Sequence, residues 1–307
     1  MSKVLVTGGA GFVGSNVSDL LIEKGFDVTV LDNLSSGRKE NLNPKANFIK
    51  ADIRDEDVGK VFRDGKFDCI VHHAAQIDLR KSVTDPVFDS TVNILGSINL
   101  LECCRKYGVK KVVYASSGGA VYGEPKYLPV DERHPIQPLC PYGASKYSVE
   151  KYVELYGMNY GIDHAILRYS NVYGPRQDPL GEAGVVAIFT GKFLSGKVPT
   201  IFGDGMQTRD FVFVKDVARA NLLALEKSLE EKVLNIGSGV ETSINQVAEE
   251  LGTLTESKLS PVHGPGVIGE VRKIRLDVSL AKKALGWKPE FNVHAGLKET
   301  LRWYRNG

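Results

Sequence analysis

The stretch from Lys3 to Gly14, taken together with Asp32, constrains this chain more than anything else in it. Val4-Leu5-Val6 is a short apolar run of strand-forming residues. It breaks into Thr7-Gly8-Gly9-Ala10-Gly11-Phe12-Val13-Gly14, after which Val13, Val17, Leu20 and Leu21 recur at helical spacing. Strand, glycine turn and helix in that order bring backbone N–H groups and a helix N-terminus up to a diphosphate. A second apolar run, Val28-Thr29-Val30-Leu31, ends in Asp32, where an acid meets a ribose hydroxyl. A glycine triplet alone makes a plain tight turn just as well. With the strand before it, the helix after it and the acid in place, the segment reads as a dinucleotide site.

Charge and cysteine usage narrow the partners. Among 307 residues, 39 basic and 37 acidic side chains leave a net charge of +2, so no global field favours nucleic acid or a membrane surface. No apolar run approaches the roughly 18 residues of a spanning helix. The N-terminus runs directly into strand and glycine loop, with no signal-peptide pattern. Cys69, Cys103, Cys104 and Cys140 lack metal-ligand spacing, and the adjacent pair reads as helix packing. A cytoplasmic protein without a metal is the expectation.

Strand patterns at 47–50, 68–72, 111–115 and 165–169 alternate with helical patterns around 55–63, 85–107 and 142–160. Such alternation predicts an α/β fold, a Rossmann-type doubly wound parallel sheet with ligands at the carboxyl ends of its strands. Beyond Tyr169 the rhythm breaks into a Gly/Pro-rich stretch at 171–184, then a helix at 185–195 and short strands about Thr200 and 211–214. The run 233–236 reads as a strand returning to the main sheet. The expected division is a dinucleotide domain at 1–170, with a returning segment at about 210–240, and a smaller α/β substrate domain from 171–209 and 241–307.

Pro141-Tyr142-Gly143-Ala144-Ser145-Lys146 carries the second strong signal. Tyr142 and Lys146, four apart at a helix start, share a face. A phenol near pKa ~10 is a poor base at neutral pH. An ammonium about 4 Å away contributes roughly 4 kcal/mol at an effective dielectric near 20, or about 3 pKa units. The positive helix end pushes the same way, so Tyr142 is expected to act as a general base of lowered pKa. A surface tyrosine–lysine pair is the plainer alternative. Upstream, the strand at 112–115 runs into Ser116-Ser117-Gly118-Gly119-Ala120-Val121-Tyr122-Gly123. Either serine there serves the chemistry, or both merely satisfy backbone groups at the strand end.

The glycine spacing Gly8-x-x-Gly11-x-x-Gly14 is one residue wider than the common Rossmann fingerprint. In the setting Thr-Gly-Gly-Ala-Gly-Phe-Val-Gly, and with Tyr142-x-x-x-Lys146, the chain resembles the extended short-chain dehydrogenase/reductases, the NAD-dependent epimerase/dehydratase family. The resemblance runs from Gly8 to Asp277 and looks closest to the UDP-glucose/UDP-galactose 4-epimerases. It implies NAD as cofactor and oxidation of a UDP-hexose to a 4-keto sugar, which turns and is reduced again. Asp32 would bind both adenosine ribose hydroxyls and repel a 2′-phosphate, with Arg38 the one nearby rescuer of a phosphate. The cofactor contacts it implies are Gly8, Gly11, Phe12, Val13, Gly14, Asp32, Asn33, Ser35, Ser36, Gly37, Asp52, Ile53, His73, Ala74, Ala75, Gln76, Asn93, Ser116, Tyr142, Lys146 and Tyr169.

Carried over in the same way, Tyr142 takes the proton of the 4-hydroxyl and Lys146 holds the nicotinamide ribose. The family's Ser or Thr three residues before Val-Tyr-Gly is replaced by Gly118, so Ser117 becomes its nearest substitute and Ser116 the next. Dehydratases of the branch place a carboxylate just before this aromatic. Gly118 and Gly119 supply none, which favours an epimerase. Substrate contacts implied are Ser117, Asn171, Val185, Thr200, Phe202, Arg209, Arg272 and Ile274. Ile274, counted from Gly269-Glu270, falls at the family's gate beside the C2 substituent, with cap packing the rival reading. Tyr152 and Tyr156, on a helix face with Val149 and Val153, fall where the family forms a homodimer; a monomer's core is the alternative. Two rival functions stay open: another NAD-dependent nucleotide-sugar enzyme (a 4,6-dehydratase or decarboxylase), and a non-catalytic dinucleotide sensor.

Overall fold

The computed structural model describes residues 2–179, 184–266 and 271–306. In chain order the strands are β1 (Lys3–Thr7), β2 (Asp27–Asp32), β3 (Asn47–Lys50), β4 (Cys69–His72), β5 (Lys111–Ser117) and β6 (Asp163–Tyr169). Then come β7 (Asn171–Tyr173), β8 (Thr200–Phe202), β9 (Thr208–Phe213), β10 (Val233–Ile236), β11 (Glu241–Ser243) and β12 (Val262–Gly264). Seven of them form one sheet in the order β10-β6-β5-β4-β1-β2-β3, parallel throughout. Helices cover both faces, so alternate residues of each strand feed two cores. Val4, Val6, Val28 and Val30 pack on one side with Val17 and Leu21 of the helix Phe12–Glu23. Leu5, Leu31, Ile70 and Val112 pack on the other with Phe62, Leu100, Val149 and Val153. Strand order reverses between β1 and β4, and the crevice at such a switch point is where ligands bind. This is the α/β doubly wound architecture expected from the sequence, with small accessory sheets beside it.

The single helix expected at 85–107 is three pieces. Pro86–Ser90 is α-helical, Thr91–Leu95 is a π turn, and Gly96–Tyr107 resumes the α-helix. The wide turn contains Asn93, whose amide exchanges hydrogen bonds with the backbone of Gln76: Gln76 N–H donates to Oδ1 (2.8 Å) and Nδ2 donates to the Gln76 carbonyl (3.0 Å). A π turn commonly marks a functional site for this kind of reason.

The smaller unit consists of a β11-β9-β7 sheet and a β12-β8 pair around Phe189, Phe193, Phe211, Phe213 and Leu251. Two segments divide differently from the linear boundaries. Within 210–240, β9 pairs with β7 and β11, whereas the helix Val214–Glu226 and β10 join the large domain. Beyond 241, Ala281, Leu285 and Trp287 enter the core of the large sheet. Trp287 Nε1 donates to the Asp216 carbonyl (2.9 Å), so an apolar segment far along the chain closes the large domain. Among the described residues no helix is long and apolar enough to cross a membrane.

Candidate active site

The glycine loop sits at the switch point. Gly8 has φ +70°, donates its N–H to the Leu31 carbonyl (2.9 Å) and accepts from Gly11 N–H (3.1 Å). A Cβ at Gly14 would lie 2.3 Å from the Gly8 oxygen, and one at Gly8 would lie 2.6 Å from Ala74 N. Bare glycines therefore let β1, the loop and the turn after β4 converge. Gly11 caps the helix Phe12–Glu23 with no side chain, so the first-turn N–H groups, Phe12 and Val13 among them, remain donors for a phosphate. Asp32 is nearly buried; its Oδ2 accepts from Ala10 N–H (3.0 Å) and its Oδ1 from Leu34 N–H (2.8 Å). That fixes its carboxylate against the loop. These features fit a dinucleotide.

The neighbouring adenosine-side positions are tied together as well. Asn33 donates to Asp52 Oδ2 (2.7 Å) and accepts from Ser35 N–H (2.9 Å). Hydrogen bonds from the Arg54 guanidinium hold the Asp52 carboxyl well below the usual range. Ser36 precedes Gly37, where a Cβ would sit 2.9 Å from Asp32 Oδ1; Ile53 packs under Gly96. Arg38 is ion-paired with Asp178.

Tyr142 and Lys146 open the helix Pro141–Tyr160 under the carboxyl end of β5. Lys146 is 4% exposed, and its Nζ donates to the Ala115 carbonyl (3.0 Å) at 5.1 Å from the Tyr114 ring and 5.8 Å from the Tyr142 ring. Burial lowers its pKa to about 8, against the pull of Asp89 and Glu150. Burial pushes the Tyr142 phenol up, Cys140 and Asp89 add to this, and a hydrogen bond from Ser117 opposes it. The sequence led us to expect a lowered tyrosine pKa. Among the protein's own groups, loss of solvent around the phenol opposes that expectation, and the ammonium is itself engaged by a carbonyl; the oxidised nicotinamide is the further positive charge on which the expectation also rests.

Successive residues of a strand face opposite ways, and this separates the two serines. Ser117 faces Tyr142, whereas the Ser116 hydroxyl donates to Glu150 on the buried side. Glu150 also takes two bonds from Arg168, which reaches Tyr122 (2.9 Å). At Gly118 a Cβ would lie 2.8 Å from Leu276. His73 Nε2 meets the Tyr169 hydroxyl (3.2 Å), their rings stack, and its buried Nδ1 has no partner. Burial, with Lys146 adding, takes His73 down to about 3, so the ring is neutral. His72 is held by Thr7 (2.7 Å) and Ser97 (2.9 Å). Ala74 N–H donates to Thr7 Oγ1 (3.3 Å), which leads Ala75 and Gln76 along the crevice.

The substrate-side positions gather on the small sheets. Asn171 starts β7 opposite Phe211, and Arg209 on β9 donates to the Thr208 carbonyl (2.8 Å). Thr208 N–H donates to the Arg272 carbonyl (3.0 Å), which brings the two arginine-bearing segments side by side. Arg272 makes a bidentate pair with Asp204 (2.8 and 2.7 Å), and its hydrogen bonds draw that carboxyl down to about 2. Thr200 and the half-exposed Phe202 lie on β8; Val185 begins the helix Val185–Leu194. Ile274 is 4% exposed, packed among Val121, Tyr122, Val130 and Leu276. Gly269 and Glu270, from which its position was counted, lie outside the described residues. A groove of about 1090 Å³ lies elsewhere, between Lys151, Glu154, Asp163 and Lys232, away from Tyr142.

Sequence reading missed Asp89, Glu150 and Arg168. Glu150 was open to detection, since it repeats the four-residue spacing of Tyr142 and Lys146.

The NAD dependent epimerase/dehydratase family matches residues 4–237. The chain is 53% identical over 307 residues to a putative UDP-glucose 4-epimerase of Methanocaldococcus jannaschii, covering 99% of this chain and 98% of that one. Its fold superposes at TM-score 0.96 on the UDP-glucose 4-epimerase of Thermotoga maritima solved with UDP-glucose, 49% identical, with 99% of each chain covered. The Thermus thermophilus UDP-glucose 4-epimerase, solved as a complex with NAD, gives 0.93 at 41% identity, again over 99% of each chain. This chain belongs to the NAD-dependent epimerase/dehydratase family.

Proposed function

We propose that this chain is an NAD-dependent UDP-glucose 4-epimerase, interconverting UDP-glucose and UDP-galactose. The observation that carries the reading is the Tyr142–Lys146 pair, its lysine buried, with Ser117 facing the phenol, at the mouth of a dinucleotide cradle that has only Gly118 and Gly119 where a dehydratase needs an acid. Near full-length identity to 4-epimerases points the same way.

The glycine loop holds the diphosphate of NAD and Asp32 the adenosine ribose. Bound there, NAD supplies reversible two-electron oxidation at the sugar's C4. Tyr142, as the phenolate, removes the proton from the 4-hydroxyl oxygen, holds it as the phenol and later returns it; the Ser117 hydroxyl stabilises the phenolate before the proton is taken and after it is returned. Lys146 contributes positive charge beside that phenolate and binds the nicotinamide ribose. Arg209, Arg272 and Asn171 orient the UDP diphosphate, for which planar guanidinium groups suit phosphate geometry. Val185, Thr200 and Phe202 hold the uridine. With isoleucine at 274, both plain and N-acetylated UDP-hexoses react, the plain ones no worse.

A homodimer and a cytoplasmic setting complete the reading. Val87 and Leu95 are exposed on segments packed against the helix Pro141–Tyr160, which itself exposes Tyr152 and Leu155. Val149 and Val153 turn into the core, and Tyr156 donates to Glu102. Four free cysteines fit a reducing compartment.

The test is to identify the nucleotide released on denaturation, then to assay purified protein on UDP-galactose with no NAD added. UDP-glucose as product and NAD as the released nucleotide are expected. A 4-keto-6-deoxy product selects a dehydratase, CO2 release from a UDP-hexuronate assayed in parallel selects a decarboxylase, and bound NAD without turnover of any UDP-sugar selects the sensor.

A further inference from the structure

Beside the catalytic pair lies a carboxylate that the reaction described above does not use. Asp89, in the short helix Pro86–Ser90, is fully buried. It accepts hydrogen bonds from Ser145 Oγ, Gln76 Nε2 (3.0 Å) and Asn93 Nδ2 (3.1 Å). Backbone donors settle both amide orientations: Gln76 N–H donates to Asn93 Oδ1, and Asp78 N–H donates to Gln76 Oε1. Each amide therefore turns its NH2 group toward Asp89. All three partners present donors, which is the environment of an ionised carboxylate.

Buried anions persist where a cation is near, and Ser145 is followed in the chain by Lys146. The charged and titratable groups around Lys146 come from four elements. Tyr142 and Glu150 belong to its own helix, Tyr114 comes from β5, His72 from β4 with His73 just after it, and Asp89 from the short helix. Burial keeps both histidines neutral, with pKa values near 3. Of the two carboxylates, Glu150 is occupied by Arg168 and Ser116. Asp89 is the one of the two that makes no ion pair with another cation among the described residues.

We propose that Asp89 is a positioning residue for the epimerase reaction: its buried carboxylate ties Gln76 and Asn93 to Ser145 and keeps Lys146 in its cationic form. This rests on the role given above to Lys146. Asp89→Asn separates charge from scaffold. Its Oδ1 still accepts from Gln76 and Asn93, and its Nδ2 donates to Ser145 Oγ, so the hydrogen bonds survive while the charge goes.

Two measurements on the NAD-loaded protein test it: a 13C titration of the Lys146 Cε in lysine-labelled protein, assigned with Lys146→Arg, and the pH profile of UDP-galactose turnover. A neighbouring anion raises an amine's pKa, so its removal lowers the Lys146 midpoint from about 8. Asp89 also opposes ionisation of Tyr142, so both limbs of the profile move in one direction. The Lys146 midpoint and the alkaline limb are expected to shift to lower pH by on the order of one unit. Ser145→Ala, which removes a hydrogen bond and keeps the charge, leaves both in place. If Asp89→Asn is not recovered folded, Asp89→Ser replaces it. An unmoved midpoint, an unmoved alkaline limb, or an equal shift in Ser145→Ala overturns the proposal. A protein that turns over no UDP-sugar refutes the epimerase reading instead, and the lysine titration, read without turnover, still decides this one.

Discussion

Gly14→Ala adds one methyl group where the dinucleotide loop is tightest. The new Cβ would lie 2.3 Å from the Gly8 oxygen, 2.9 Å from its carbonyl carbon and 3.0 Å from Gly9 Cα. All three obstacles are backbone, and no rotamer change relieves them. Gly8 is pinned by its bond to Leu31, so the helix Phe12–Glu23 must back away by several tenths of an ångström. Strain of this kind costs about 1–3 kcal/mol, partly offset by the ~1 kcal/mol helix preference of alanine over glycine. The larger effect falls on binding. The first-turn N–H groups leave the diphosphate, and losing one charge-assisted hydrogen bond of about 1.5–3 kcal/mol weakens NAD roughly 10–100-fold. Calorimetric titration of cofactor-stripped protein measures this, with urea unfolding alongside. Gly252→Ala is the control: its nearest neighbour is Phe193 Cζ at 3.9 Å, within the helix Ile244–Leu254, so it should stabilise by about 0.5–1 kcal/mol. NAD affinity in Gly14→Ala within about threefold of the unsubstituted protein would refute the steric argument. So would a Gly252→Ala variant destabilised as much as Gly14→Ala.

Tyr142→Phe should lower UDP-galactose turnover about 10²–10⁴-fold while NAD stays bound, and Ser117→Ala should cost less, because Ser117 acts through Tyr142. Steady-state kinetics of the two variants decide it, and equal losses contradict the assignment. Glu150→Ala strands Arg168, 4% exposed, without its carboxylate and should cost about 3–5 kcal/mol in urea unfolding. A cost below about 1 kcal/mol would place the pair among those solvent already screens. Ile274→Tyr should reduce turnover of UDP-N-acetylgalactosamine relative to UDP-galactose; an unchanged ratio in a folded variant leaves Ile274 as packing for Val121 and Tyr122.

What the sequence determined by itself is local. Val4 to Gly14 specifies strand, turn and helix within a dozen residues, because backbone sterics and apolar period act between near neighbours. Asp32 closes the next strand, and Tyr142 and Lys146 share a helix face through one turn of spacing, so the cradle and the reacting pair were legible. The tertiary structure decided what depends on burial and on distant partners. It turned Ser117 toward Tyr142 and Ser116 toward Glu150, a choice made by the pleat of β5 in its sheet. It broke the 85–107 helix at Asn93, because that amide completes the backbone of Gln76, seventeen residues away in sequence. It set the desolvation of the Tyr142 phenol, which pushes its pKa up and opposes the influence read from spacing to Lys146, since desolvation follows from every element packed around the phenol. Asp89 shows the limit most plainly. Asn93, four residues on, is its one partner near in sequence; Gln76 and Ser145 reach it only when the chain has folded.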